Sequence, residues 1–312
     1  MSSNYEILKS FYSNNYKGLI FLTEKSLSKN SKARMYCYNY DNEVSSFKKI
    51  FNNYLPYYID NYDSLIYYNL TDDIEKELEK RSVDLWDGSM IDRKDIDTIG
   101  IFGELFTDFF IRIVTEKELM LTYASKKEFN NAIEFKGIDS LACYLENEIL
   151  EVIVCEAKFV ANLSKASSEL VYDIEGKTSK DGNFKAGHVN KNMLNKYVGG
   201  FALKKQESIS KTTKEDTIKA ISKLNKKIIS EDKTFIESLN ELGYKMRFVF
   251  FAVYQSEHKS PDLIEEQYDK ILNSFNRMIS ETEILLYDID IIFIPTDNKS
   301  KLLKEKMVEL YG

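Results

Sequence analysis

Apolar residues along this chain gather into short runs near Ile99, Leu150, Phe248 and Ile291, separated by stretches whose apolar positions recur at helical spacing. The run from Leu150 to Phe159 keeps its charges near its ends, which predicts a buried strand over residues 151–159. Asn147-Glu148 is a two-residue turn signal that joins it to a strand at 140–145. Further strands are expected at 18–23, 33–40, 119–124, 132–135, 246–254 and 283–295. Helical spacing predicts helices around 47–55, 74–85, 214–229 and 261–279 and after Ser300, with Pro261 where a first-turn proline is tolerated. Another helix is expected from about Ile99 to Val114, capped by Asp97 or Thr98.

Strand, helix, strand, helix in this order predicts an α/β fold, a mixed central β-sheet flanked by helices. The 312 residues can hold one large or two modest domains. The reading divides them into a Tyr-rich N-terminal α+β region, residues 1–95, and a second domain, residues 96–312, joined by the charged connector at 92–97. Residues 173–192 are polar and glycine-bearing and read as a mobile loop, and Gly199-Gly200 reads as a turn.

The candidate chemistry lies where the buried strand ends. Side chains alternate along a strand, so Glu156 and Lys158 share one face, and a charged pair there is costly to bury unless partnered or liganded. Asp139, just after Gly137, stands where it can bring a second carboxylate from the neighbouring strand. Two acids can bind a divalent cation, and a lysine beside them can steady an attacking water or the charge developing on phosphate. Glu104 is the sole charge in the apolar run Ile99 to Phe106 and is a candidate fourth group. An ordinary strand-end ion pair is the bland alternative for this cluster.

A helix glutamate, a Gly-x-Asp and an apolar strand ending in Glu-x-Lys, in that order, resemble the PD-(D/E)xK nuclease superfamily, with Asp139, Glu156 and Lys158 at its motif positions. Within it, the phrases IGIFGELF, FKGIDSL and VIVCEAKF resemble HamA, the nuclease subunit of Hachiman anti-phage defence systems, over roughly residues 96–312. The resemblance implies a restriction-endonuclease-like core and a Mg²⁺-dependent deoxyribonuclease, with Mn²⁺ able to substitute. It implies Asp139, Glu156, the Ala157 backbone carbonyl and Glu104 as metal ligands, and Lys158 beside the water. It also implies DNA as target, defence against phage as role and a HamB-like helicase subunit as partner.

Charge changes the picture of the partner. The net charge of −7 disfavours strong autonomous DNA binding, yet residues 159–230 carry 14 lysines against 7 acids. That basic segment directly follows the site, and Lys165, Lys177, Lys185 and Lys191 are its candidate DNA contacts, against the plainer reading of a solvated lysine-rich surface. Three cysteines, Cys37, Cys143 and Cys155, lack paired spacing; Cys143 and Cys155 read as small core residues. His188 and His258 are far apart in sequence, so zinc chemistry is not expected, and His188 reads as a surface histidine, with a phosphate contact as the lesser alternative. Gly176-Lys177-Thr178 looks like a P-loop ending, but Val171 replaces the first glycine. Neither a membrane span nor a basic-then-apolar leader is visible, so a cytoplasmic protein is expected.

Two alternatives to the metal-dependent endonuclease stay open. One is a non-catalytic docking or scaffold subunit that keeps the nuclease fold. The other is a restriction endonuclease with its own sequence recognition, which would need clustered base-reading side chains where this chain has six scattered arginines.

Overall fold

The computed structural model describes residues 19–28, 30–38, 54, 76, 107–111, 118–119, 138–199, 215–255 and 261–296. In chain order the strands are β1 (Leu19–Ser28), β2 (Ser31–Tyr38), β3 (Glu118–Leu119), β4 (Ser140–Glu146), β5 (Ile149–Val160), β6 (Gly176–Thr178), β7 (Phe184–Ala186), β8 (Lys245–Gln255) and β9 (Tyr287–Thr296). The helices are α1 (Leu163–Glu175), α2 (Lys191–Met193, continued by a π-helical turn Leu194–Val198), α3 (Glu215–Ser230), α4 (Phe235–Glu241) and α5 (Pro261–Ile279).

Seven strands form one mixed sheet in the order β1-β2-β9-β8-β5-β4-β3. The middle of it, β2, β9, β8 and β5, is parallel, and antiparallel hairpins extend it at both edges. Parallel neighbours require crossovers, and α5 provides the one between β8 and β9. The expected α/β architecture is therefore present. The β1–β2 hairpin, from the N-terminal region, belongs to this same sheet, because Ala33–Cys37 of β2 pair with Ile289–Phe293 of β9.

The β4–β5 hairpin turns at Asn147 and Glu148, whose φ angles of 50° and 65° suit a primed two-residue turn. This turn fixes the register that ends in Ser140↔Cys155. One sheet face is built from Leu150, Val152 and Val154 of β5, Phe248 and Phe250 of β8 and Ile289 and Ile291 of β9. It packs against Leu170 and Ile174 of α1, Leu224 of α3 and Tyr268, Ile271 and Phe275 of α5. Alternation continues that face through Glu156 and Lys158, at the carboxyl end of β5. The opposite face carries Phe251, which meets Phe110 of the helical residues 107–111. It also carries a charged lattice in which Arg247 binds Glu151 and Asp290, and Arg34 binds Asp288 and Asp290.

Three expectations need correction. Residues 173–192 are not a loop: they hold the end of α1, the β6–β7 hairpin and the start of α2. Gly199 is helical rather than a turn, and its lack of a Cβ admits Phe235, whose own Cβ would lie 2.8 Å from an added one. Helices α1 and α4 stand where no helix was expected. Of the helices expected at 47–55 and 74–85, only Tyr54 and Lys76 are described, both helical; those after Ser300, the strand at 132–135 and His258 lie outside the described residues. Buried Cys143 and Cys155 are the core residues expected, with no disulfide.

Candidate active site

Glu156 sits on the last buried stretch of β5, paired with Phe250 of β8. Its two oxygens are both engaged: Oε1 accepts from Lys158 Nζ at 2.9 Å, and Oε2 lies 3.0 Å from His188 Nδ1. The Lys158 ammonium also reaches Asp173 Oδ2 at 2.5 Å, so one cation bridges two carboxylates. Asp139 continues the β4 register by one residue: its N–H donates to Cys155 O at 3.1 Å, and its Oδ2 accepts the Ala157 N–H at 2.7 Å. The expected trio Asp139, Glu156 and Lys158 is thus brought together. Asp139 is turned onto the strand backbone beside Glu156 and lies close enough to add to the raised pKa of Lys158 and to offset a small part of the lowering that burial imposes on His188.

Two residues of the site escaped sequence reading. Asp173 lies on α1, three positions after Leu170 and one before Ile174, an acid placed on the helix's buried stripe. His188 is buried rather than a surface side chain, and it follows the β6–β7 hairpin. Two glycines bring it there. An added Cβ on Gly187 would lie 2.1 Å from Ile174 O, and one on Gly176 would lie 2.4 Å from Lys185 O, so the hairpin base closes only without side chains. The His188 N–H then donates to Asp173 O at 2.5 Å, fixing both residues against Glu156.

Burial pushes the Glu156 carboxyl up to about 8, with Asp173 adding to the shift and Lys158 offsetting part of it. Burial works to lower the Lys158 ammonium, but Glu156, Asp139 and Asp173 outweigh it and hold it above its ordinary range. Burial lowers His188, which favours the neutral imidazole, a metal-binding form. Donor atoms of Glu156, Asp173 and His188 all lie within 4.8 Å of one another. On an octahedral ion with bonds of about 2.1 Å, neighbouring ligands are about 3 Å apart and opposite ones about 4 Å, so these atoms, spread over as much as 4.8 Å, would draw slightly together to hold a small divalent cation. Two carboxylates converging on one ammonium, in a buried place, also suit added positive charge.

The other expected residues divide. Glu104 lies outside the described residues. Lys165 is exposed in the first turn of α1, and Lys177 and Lys185 are exposed on the β6–β7 hairpin. Lys191, at the start of α2, is drawn to Glu283 at 2.6 Å. Gly176-Lys177-Thr178 is strand β6, not a phosphate loop. Among the described residues no helix is long and apolar enough to cross a membrane.

A search of curated proteins finds no match to the chain. The HamA family model matches residues 14–310, so the likeness extends well beyond residues 96–312 into the N-terminal region, where no motif was legible. The chain belongs to the HamA family and is a protein associated with Hachiman defence.

Proposed function

We propose that this chain is a metal-dependent deoxyribonuclease, with a PD-(D/E)xK-type core, acting as the nuclease subunit of a Hachiman anti-phage complex beside a helicase subunit. The observation that carries the reading is the buried Glu156 carboxylate, held between Lys158 and His188 at the carboxyl end of a parallel strand, where α/β sheets place their ligand sites. Glu156, Asp173 and His188 would hold Mg²⁺, or Mn²⁺ in its place, and the ion would polarise the scissile phosphate and acidify a bound water. Asp139 fixes the strand end by accepting the Ala157 N–H, which sets the direction of the Glu156 and Lys158 side chains. Lys158, a compact charge between two acids, orients the attacking water and meets the charge that grows on the phosphate.

The docking-subunit reading finds its support in the same ion pairs, because Lys158 closes the cluster as a plain salt-bridge network would. The two readings part on one experiment. Circular DNA incubated with the purified protein and Mg²⁺, with and without the helicase subunit, is nicked or cut and is protected by EDTA if the site is catalytic. Intact DNA under both conditions supports the docking module.

A further inference from the structure

The β6–β7 hairpin stands directly on the site: Asp173 lies three residues before its first strand and His188 two residues after its second. It is a stiff element. Gly176 and Gly187 allow its base to close, and its tip is tied by Ser179 N–H to Asn183 O at 2.8 Å and Gly182 N–H to Ser179 O at 3.0 Å. Lys177 and Lys185 are directly opposite on one face, a like-charge pair that is unfavourable unless an anion meets it. Neither lysine has an ion-pair partner among the described residues, nor does Lys180 near the tip, where Asp181 is the one acid. The Lys177 ammonium is instead poised 4.6 Å from the centre of the half-exposed Tyr172 ring. On the other face Phe184, paired with Thr178, is 65 % exposed, and its ring edge rests over Gly176, where any side chain would displace it.

We propose that this hairpin is the substrate grip of the nuclease and that it selects single-stranded DNA: Lys177 and Lys185 take the phosphates of the strand entering the site, and Phe184 stacks on an unpaired base. The inference rests on the nuclease reading for its substrate and on the hairpin alone for its selectivity. A single strand can follow the lysine face and turn one base around the narrow ribbon onto Phe184. A duplex keeps its base faces stacked and can offer only phosphates. A large exposed aromatic packed over a glycine, with two lysines that lack ion-pair partners among the described residues on the other face and the chemistry at the hairpin base, is the pattern such a grip requires.

The test is fluorescence anisotropy with the full-length protein and a labelled 20-nucleotide single strand or the blunt duplex of the same sequence, in Ca²⁺ to hold back cleavage. The wild type should bind the single strand more tightly. Phe184→Ala should weaken single-strand binding by about 5- to 100-fold and leave duplex binding unchanged. Lys177→Ala with Lys185→Ala should weaken both and reduce the salt slope for the single strand by roughly 1.4. Thermal melts matching wild type show that the variants are folded. Equal affinity of the wild type for the two DNAs, no measurable binding, or wild-type binding by Phe184→Ala overturns the proposal. The expected binding pattern without metal-dependent cleavage would overturn the nuclease reading and leave the grip standing; cleavage with indifferent hairpin variants would do the reverse.

Discussion

His188 Nδ1 lies 3.0 Å from Glu156 Oε2, so a histidine 32 residues downstream of the strand glutamate shares its carboxylate with the strand lysine. An imidazole in a site otherwise made of carboxylates favours softer divalent ions over Mg²⁺. His188→Gln should therefore weaken Mn²⁺ binding by about 10- to 100-fold, with a smaller effect on Mg²⁺. Calorimetric titration of both ions against wild type and variant checks it; equal losses for the two ions would mean that the ring only orients Glu156.

Protonation of Glu156 sets a pH dependence with a definite sign. Its folded pKa, about 8, stands above the ordinary value of 4.5, so between these values the native state binds more protons than the unfolded chain. Its contribution to stability is fully present below about 4.5 and is lost as pH rises towards 8. The raised Lys158 contributes stability that is constant across that window. Because burial lowers His188, its contribution rises with pH up to about 6.5 and opposes that of Glu156 there, so in EDTA urea midpoints should decline from pH 6.5 to 8, and Glu156→Gln should flatten the decline. An identical slope in that variant would remove Glu156 as its cause.

Lys158 answers two carboxylates, at 2.9 and 2.5 Å, as a point charge. Arginine keeps the charge but spreads it over a wider plane, so Lys158→Arg should fold and yet cut DNA about 10²- to 10⁴-fold more slowly. Single-turnover cleavage alongside a circular-dichroism melt measures both. Near-wild-type cleavage by the arginine variant would contradict a positioned lysine.

Gly187 should be intolerant of any side chain, because an added Cβ would lie 2.1 Å from Ile174 O and 2.5 Å from Ile174 C. Gly187→Ala should cost roughly 1–3 kcal/mol in urea unfolding and should lower metal affinity, since the hairpin base holds His188. Gly182, whose added Cβ meets nothing within 4 Å but whose φ is 79°, should on substitution by Ala cost only backbone strain of about 1 kcal/mol and leave metal affinity unchanged.

On the far face of the sheet, Arg247 binds Glu151 at 2.8 Å and Asp290 at 2.7 Å. Arg247→Met strands the buried Glu151 and leaves Asp290 to Arg34 alone, and should destabilise the protein by about 3–5 kcal/mol while leaving metal affinity of the folded protein unchanged. A urea titration and a calorimetric titration below its unfolding transition separate the two effects.

How much of this was legible depends on how local each signal is. The β4–β5 hairpin could be read because alternation, a turn at Asn147-Glu148 and the charged strand end lie within 20 residues of one another, and they place Asp139, Glu156 and Lys158 together. Helix α5 could be read from Pro261 and its spacing. Helix α1 was hidden because serines and charges interrupt its stripe and Asp173 occupies a position where a hydrophobe would mark the pattern. The β6–β7 hairpin looks like a loop in sequence because its strands are three residues long and largely polar, and its order comes from backbone closure at Gly176 and Gly187. His188 could not be assigned without that closure, and the pairing of β2 with β9, more than 250 residues away, leaves no local trace.

The most direct test of the central claim is single-turnover cleavage of plasmid DNA in Mg²⁺, comparing wild type with a Glu156→Gln variant shown to be folded and to bind DNA as wild type does. The account predicts metal-dependent cleavage by the wild type and a loss of at least about 10²-fold in the variant. Cleavage by Glu156→Gln at the wild-type rate would contradict it, because the chemistry would then lie elsewhere.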